Sequence, residues 1–288
     1  MFKIKIVTLI ENHTEDELVC EHGLSFYIEF NDKTYLLDAG QSDLFATNAE
    51  RLGIDLTKVS KAVLSHAHYD HAGGFKAFTE CNSYAEVYMQ RAAENQCFSE
   101  KADGIKDIGI PQEVRNALKG RICYVDKDTK IDEGVYLIAH HTDGLSERGK
   151  QMHMLLQSCG GEKRFDDFSH EQSLVFELPE GLVVLNSCCH GGVDLILEEV
   201  IRAFGGKKVL AMIGGFHLMG SDGPDSMRES EKQVRLLAKK LLSMQVEKLY
   251  TGHCTGTRAF PVLKEVLGEK LELLVTGKTI EIETVAKP

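Results

Sequence analysis

Four apolar strands in this chain end in the same way: a run of branched residues, one or two small ones, then a histidine. Residues 61–65, Lys-Ala-Val-Leu-Ser, lead to His66. Residues 182–186, Leu-Val-Val-Leu-Asn, lead through Ser187-Cys188-Cys189 to His190. Residues 209–213 lead through Gly214-Gly215-Phe216 to His217, and residues 249–252 lead to His253. A residue just past a strand projects from the sheet edge, where α/β folds build their sites. A single such histidine is usually a hydrogen-bonded structural residue. Four in one context point to convergence on one place.

The densest stretch is Ser65-His66-Ala67-His68-Tyr69-Asp70-His71-Ala72-Gly73-Gly74. Spacing of two on an extended backbone sends the His66 and His68 imidazoles to one side. Asp70 and His71 follow as the chain turns at Gly73–Gly74. Neutral imidazoles plus a carboxylate suit a borderline divalent cation: zinc first, with iron, manganese or magnesium as alternatives. So short a turn does not wrap all four groups around one ion, so a pair of adjacent ions is expected. Two such ions bring a shared water toward neutrality and polarise the oxygen under attack.

Other short apolar runs, bounded by Gly, Asn, Asp or His, read as further strands, with a hairpin turning at Asn31-Asp32. Helical spacing is clearest from Val193 to Phe204, and a second helix is expected over 225–242, opening on a capping box at Ser226. A helix is also expected over 91–98. Strand-rich early and alternating strand and helix late, the chain is expected to be one α/β domain, residues 1–288. Lid-like insertions are expected near 92–119 and 144–167, the second bearing Arg148, Lys150, Lys163 and Arg164.

Lys+Arg 33 against Asp+Glu 44 gives a net charge of −11, which disfavours a broad nucleic-acid surface. No apolar run approaches the ~20 residues of a membrane helix, and no basic-then-apolar leader is seen. Eight cysteines without a CxxC pair fit free thiols in a reducing, cytoplasmic setting. The expected partner is a small anionic molecule, not nucleic acid or membrane; an oligomer is compatible with the sequence. Arg148 and Arg164 are candidate substrate-binding residues, since arginine pairs readily with phosphate.

His66-x-His68-x-Asp70-His71 after an apolar strand resembles the signature of metallo-β-lactamase-fold hydrolases. Residues 21–25 (EHGLS), 37–40 (LDAG), 188–192 (CCHGG), 213–218 (IGGFHL) and 251–256 (TGHCTG) narrow the resemblance. It is to the branch named for 7,8-dihydropterin-6-yl-methyl-4-(β-D-ribofuranosyl)aminobenzene 5′-phosphate synthase. The resemblance implies a four-layer αββα sandwich with two metals at one sheet edge. Carried over, His66, His68 and His190 hold one metal, and Asp70, His71 and His253 the other. Asp38 then orients a ligand imidazole from outside the ligand set. His170 is the alternative to His190, lying in a loop before a strand where relatives place their third histidine. The family's bridging aspartate is replaced by Ser187-Cys188, so Cys188 or a water alone takes the bridge.

Catalytic roles then fall to Asp70, orienting the water and passing on its proton, and to His217. His217 is either a substrate-contacting donor or a packed strand-end residue. The expected activity is hydrolysis of a small phosphoester or ester, including pterin or phosphoribosyl compounds. Iron-dependent thiol oxygenation or electron transfer on the same fold is the alternative, and the synthase reaction of the branch name a second.

Overall fold

The computed structural model describes residues 2–285. The first sheet holds β1 (Phe2–Ile10), β2 (Ser25–Phe30), β3 (Lys33–Leu37), β4 (Lys61–Val63), β5 (Glu86–Gln90), β8 (Ile122–Val125) and β18 (Thr279–Thr284), in spatial order β18-β1-β2-β3-β4-β5-β8. The second holds β9 (Thr129–Asp132), β10 (Val135–Ala139), β13 (Gln172–Leu178), β14 (Gly181–Leu185), β15 (Val209–Ile213), β16 (Lys248–Thr251) and β17 (Leu271–Leu273), in order β17-β16-β15-β14-β13-β10-β9. The β2–β3 hairpin turns through Asn31 and Asp32 as expected, both at positive φ (49° and 61°), the twist that a tight hairpin needs.

Strand alternation explains how the layers stack. In β3, Tyr35 and Leu37 point into a core shared by the two sheets, while Leu36 points the other way. In β14, Val183 and Leu185 meet that same inner core, and Leu182 and Val184 face outward. Helices close both outer faces. Phe45 of α1 (Leu44–Arg51), Phe75 and Phe78 of α3 (Phe75–Cys81) and Val114 of α4 (Gln112–Ala117) cover the first sheet. On the second lie α6 (Val193–Ala203), α7 (Glu231–Ser243) and α8 (Ala259–Leu267), through Ile196, Ala238 and Leu263 among others. These are the four expected layers, α, β, β, α. No helix among the described residues is long and apolar enough to cross a membrane.

The two expected insertions are not open loops. They pair with each other in a third sheet of β6 (Gln96–Lys101), β7 (Gly104–Asp107), β11 (Met154–Gln157) and β12 (Lys163–Phe165), in order β12-β11-β6-β7. The expected helix over 91–98 is therefore corrected to one 3₁₀ turn, Arg91–Glu94, followed by a strand. The helix expected from 225 starts later. Ser230 caps α7, accepting from the Gln233 backbone N–H in a full capping box, whereas the Ser226 hydroxyl is bound to the Gly223 carbonyl in a turn.

Candidate metal centre

Strands β3 and β4 run parallel in the first sheet, as do β14, β15 and β16 in the second. Their C-terminal ends meet at one edge of the sandwich. The two sheets are tied there by Gln172, whose backbone N–H donates to the Ser65 carbonyl at 2.8 Å. After β4 the chain bends, not extended as expected, and His66 and His68 come together edge to face with ring centroids 4.6 Å apart. Asp70 and His71 lie on the single turn α2 (Tyr69–Ala72), which His68 precedes in extended conformation. This turn is seated by close approach: a Cβ on Gly74 would stand 2.0 Å from the Ala39 carbonyl oxygen. From the other sheet, the segment after β14 brings Cys188 and His190, and that after β16 brings His253.

The ligand-capable atoms of His66, His68 and His190 all lie within 4.8 Å of one another, as do those of His66, His71 and Cys188. Alongside, Asp70 Oδ2 is 3.5 Å from His71 Nε2 and 3.3 Å from His253 Nε2, and these two nitrogens are 3.2 Å apart. Cys188 Sγ stands 3.3 Å from His71 Nε2, between the two groups. Its thiol is also 3.3 Å from Cys254 Sγ, and all eight cysteines are free.

Four of these five imidazoles are steered from behind. Asp38 Oδ2 accepts from His71 Nδ1 at 2.8 Å and from the Ser65 hydroxyl at 2.6 Å; that hydroxyl lies 2.8 Å from His66 Nδ1. Glu171 holds His190 Nδ1 at 2.7 Å, and Asn12 Oδ1 accepts from His253 Nδ1 at 2.8 Å. In all four rings the Nδ1 is engaged by an oxygen, leaving Nε2 for the centre, the arrangement in which a second layer fixes tautomer and direction. The Nε2 atoms of His66 and His68 are buried with no hydrogen-bond partner among the described residues. Buried polar atoms are rarely left unpaired without a cause. Burial and neighbouring imidazoles push both histidines well below their ordinary pKa, keeping them neutral, the form that binds metal. Burial would raise the Asp70 carboxyl, but His71, His22 and His253 hold it well below the usual range. The residues present fit divalent cations.

His170 does not present a free nitrogen. Its Nδ1 accepts the Ala67 backbone N–H at 3.1 Å and its Nε2 meets Asp166 at 3.0 Å, so it braces the bend between His66 and His68. His217 reaches the edge, its ring centroid 4.4 Å from that of His190. Arg148 also arrives, its Nε donating to the His190 carbonyl. Arg164 does not: it donates to Asp167 at 2.5 Å and is half exposed. Backbone strain gathers here as well, with Asp38, Cys189, His217 and His253 at φ between 47° and 57°.

The residue-level reading missed Asn12, Glu171, His140 and His22. His22 Nε2 lies 3.3 Å from Asp70 Oδ2 at the exposed mouth, and its only signal was the 21–25 motif. His140 is clasped between Glu171 Oε2 at 2.7 Å and Glu199 Oε2 at 3.0 Å. Neither Glu171 nor His140 sits in a recognisable motif.

Comparison with known proteins agrees with this architecture. The family described as the metallo-beta-lactamase superfamily matches residues 18–146. A crystal structure of Tm1679, a metal-dependent hydrolase of the β-lactamase superfamily, superposes with a TM-score of 0.81 at 29% identity, covering 98% of this chain and 100% of that one. The chain is similar to the metallo-β-lactamase superfamily over residues 18–146 and shares the fold of its members. It is 28% identical to a 7,8-dihydropterin-6-methyl-4-(β-D-ribofuranosyl)-aminobenzene-5′-phosphate synthase of Methanocaldococcus jannaschii, over 96% of each chain. The metallo-β-lactamase-fold protein YhfI from Bacillus subtilis shares the fold at a TM-score of 0.55 and 12% identity, covering 98% of this chain and 100% of that one.

Proposed function

We propose that this chain is a hydrolase using a pair of divalent ions, zinc first, against a small anionic phosphoester or ester. The observation that carries the proposal is the pair of buried, unpartnered Nε2 atoms of His66 and His68 beside a second donor group at Asp70, His71 and His253. His66, His68 and His190 would hold one ion; Asp70, His71 and His253 the other. Cys188, close to both donor groups, would supply a thiolate where the family has a carboxylate. When bound, the ions would supply a water acidified toward neutral pH and an electrophile for the substrate oxygen. Asp38, Ser65, Glu171 and Asn12 keep the imidazoles aimed. His22, at the mouth and in contact with Asp70, is placed to exchange a proton with solvent. Free thiols throughout fit a reducing, cytoplasmic setting.

A second reading is favoured by the near full-length match to a synthase: the same centre would template condensation of a dihydropterin diphosphate with a ribosyl-aminobenzene phosphate, the diphosphate leaving as the new bond forms. Metal analysis of gently purified protein, then reconstitution and assay on phosphomonoesters, cyclic nucleotides, thioesters and lactams, tests the hydrolase. Turnover only with the paired pterin and ribosyl substrates would favour the synthase. Iron content with dioxygen uptake would favour an oxidoreductase instead.

A further inference from the structure

Beside the proposed centre lies a group of donors that its ligand sets do not use. His217 follows β15 in a left-handed conformation, φ 49°, and both of its ring nitrogens are buried without a partner among the described residues. The segment carrying Arg228 is pinned next to it: the Arg228 backbone N–H donates to the Leu218 carbonyl at 2.9 Å, and Met227 bridges to Met219. The Arg228 Nε is likewise buried and unpartnered. Arg148 comes from α5 (Leu145–Gln151) and spends its Nε on the His190 carbonyl. Its guanidinium lies over Gly192, where an added Cβ would be 3.5 Å from Cζ and Nη1.

Two carboxylates stand near the group without an ion pair to either arginine: Asp194 Oδ1, beside Arg148 over Gly192, and Glu229, whose charge acts on Arg228. Asp194, at the start of α6, is engaged by Lys240 at 2.8 Å, and Glu229 lines the outer pocket without a hydrogen bond to either arginine. Burial and the Arg148 charge lower the Arg228 pKa, and Glu229 and Cys254 offset this only in part. A cavity of about 310 Å³ opens past Arg148, Gly192, Phe216 and Leu218.

Two guanidiniums and an unpaired imidazole held together in a chain of net charge −11 are costly unless an anion joins them. A planar carboxylate satisfies one arginine fork; a tetrahedral dianion offers oxygens to both forks and to an imidazole N–H. We infer that Arg148, Arg228 and His217 form a binding site for a phosphoryl group, set beside His190 so that a phosphorylated substrate reaches the metal centre. The inference rests on the proposed function for what the phosphoryl group belongs to, not for the site itself.

The probe is inorganic phosphate, titrated calorimetrically into the full chain as purified and after chelation, with metal content measured for each sample. Phosphate binding is expected to survive chelation and to weaken about tenfold or more in Arg228→Gln and Arg148→Gln, with metal content unchanged. Arg228→Lys, which keeps charge and loses the fork, should fall between. If Arg228→Gln does not fold, Arg228→Lys and Arg148→Gln carry the comparison. Wild-type phosphate affinity in the folded arginine variants would overturn the site, as would complete loss of phosphate binding on chelation alone; either result leaves the metal-centre reading standing. Arginine-dependent phosphate binding by a chain that takes up no metal would support the site and sink that reading.

Discussion

Glu171 grips His190 twice through one oxygen: Oε1 accepts the His190 backbone N–H at 2.9 Å and its Nδ1 at 2.7 Å. The other oxygen accepts from the Gly191 backbone N–H at 3.1 Å and from His140 Nε2 at 2.7 Å. One buried carboxylate thus fixes both the direction of an imidazole and the loop entering α6. Glu171→Gln is expected to weaken metal affinity by about 10–100-fold while the fold persists. Competition against a chromophoric chelator measures it; unchanged affinity would remove Glu171 from the support of the centre.

Asp38 serves the opposite wall, through His71 directly and His66 by way of Ser65. Asp38→Asn removes the charge that favours Nδ1–H on His71 and leaves one side-chain contact mismatched. A loss of similar size, about 10–100-fold in metal affinity, is expected in the same chelator competition. A Ser65→Ala variant should show a smaller loss, confined to the group that includes His66.

His140, outside the proposed ligand sets but joined to His190 through Glu171, gives a pH signature. Burial alone would lower its pKa, but Glu171 and Glu199 outweigh that and push it up to about 9 from an ordinary 6.5. A folded pKa above the unfolded one means the stabilisation is fully present below about pH 6.5 and is lost as pH rises through 9. Urea unfolding should therefore show stability falling by on the order of 2–3 kcal/mol across that window. His140→Gln should be less stable at pH 6 and flatter above it. An equally steep decline in the variant would assign the pH dependence to other groups.

Cys188 lies 3.3 Å from both His71 Nε2 and Cys254 Sγ, but only one of these thiols stands between the two donor groups. Cobalt(II)-loaded protein is expected to show a thiolate-to-metal charge-transfer band that Cys188→Ser removes and Cys254→Ser retains. A band unaffected by Cys188→Ser would hand the bridge to water.

Much of this was legible in the sequence because it was periodic or dense. Alternating β-branched runs marked the strands of both large sheets, and His66 to His71 announced the centre without help from distant residues. The third sheet was hidden for a physical reason: β7 and β12 are exposed along their whole length, so no apolar period marks them, and they exist because two insertions pair with each other. Ser226 and Ser230 each begin a pattern compatible with a capping box, and sequence alone does not show which hydroxyl a turn has already claimed. His170 was the alternative ligand because relatives place their third histidine in such a loop; only the fold shows the Ala67 N–H filling its Nδ1. Glu171 and Asn12 act across long sequence separations on rings they do not neighbour in the chain. Arg228 was concealed within an expected helix that starts after it.

The central claim is tested most directly by elemental analysis of the gently purified protein beside His66→Ala. About two divalent ions per chain are expected in the wild type, with His66→Ala losing metal and turnover and an exposed control, His13→Ala, losing neither. A wild-type chain that binds no divalent ion on reconstitution, or a His66→Ala chain with full metal occupancy, would contradict it.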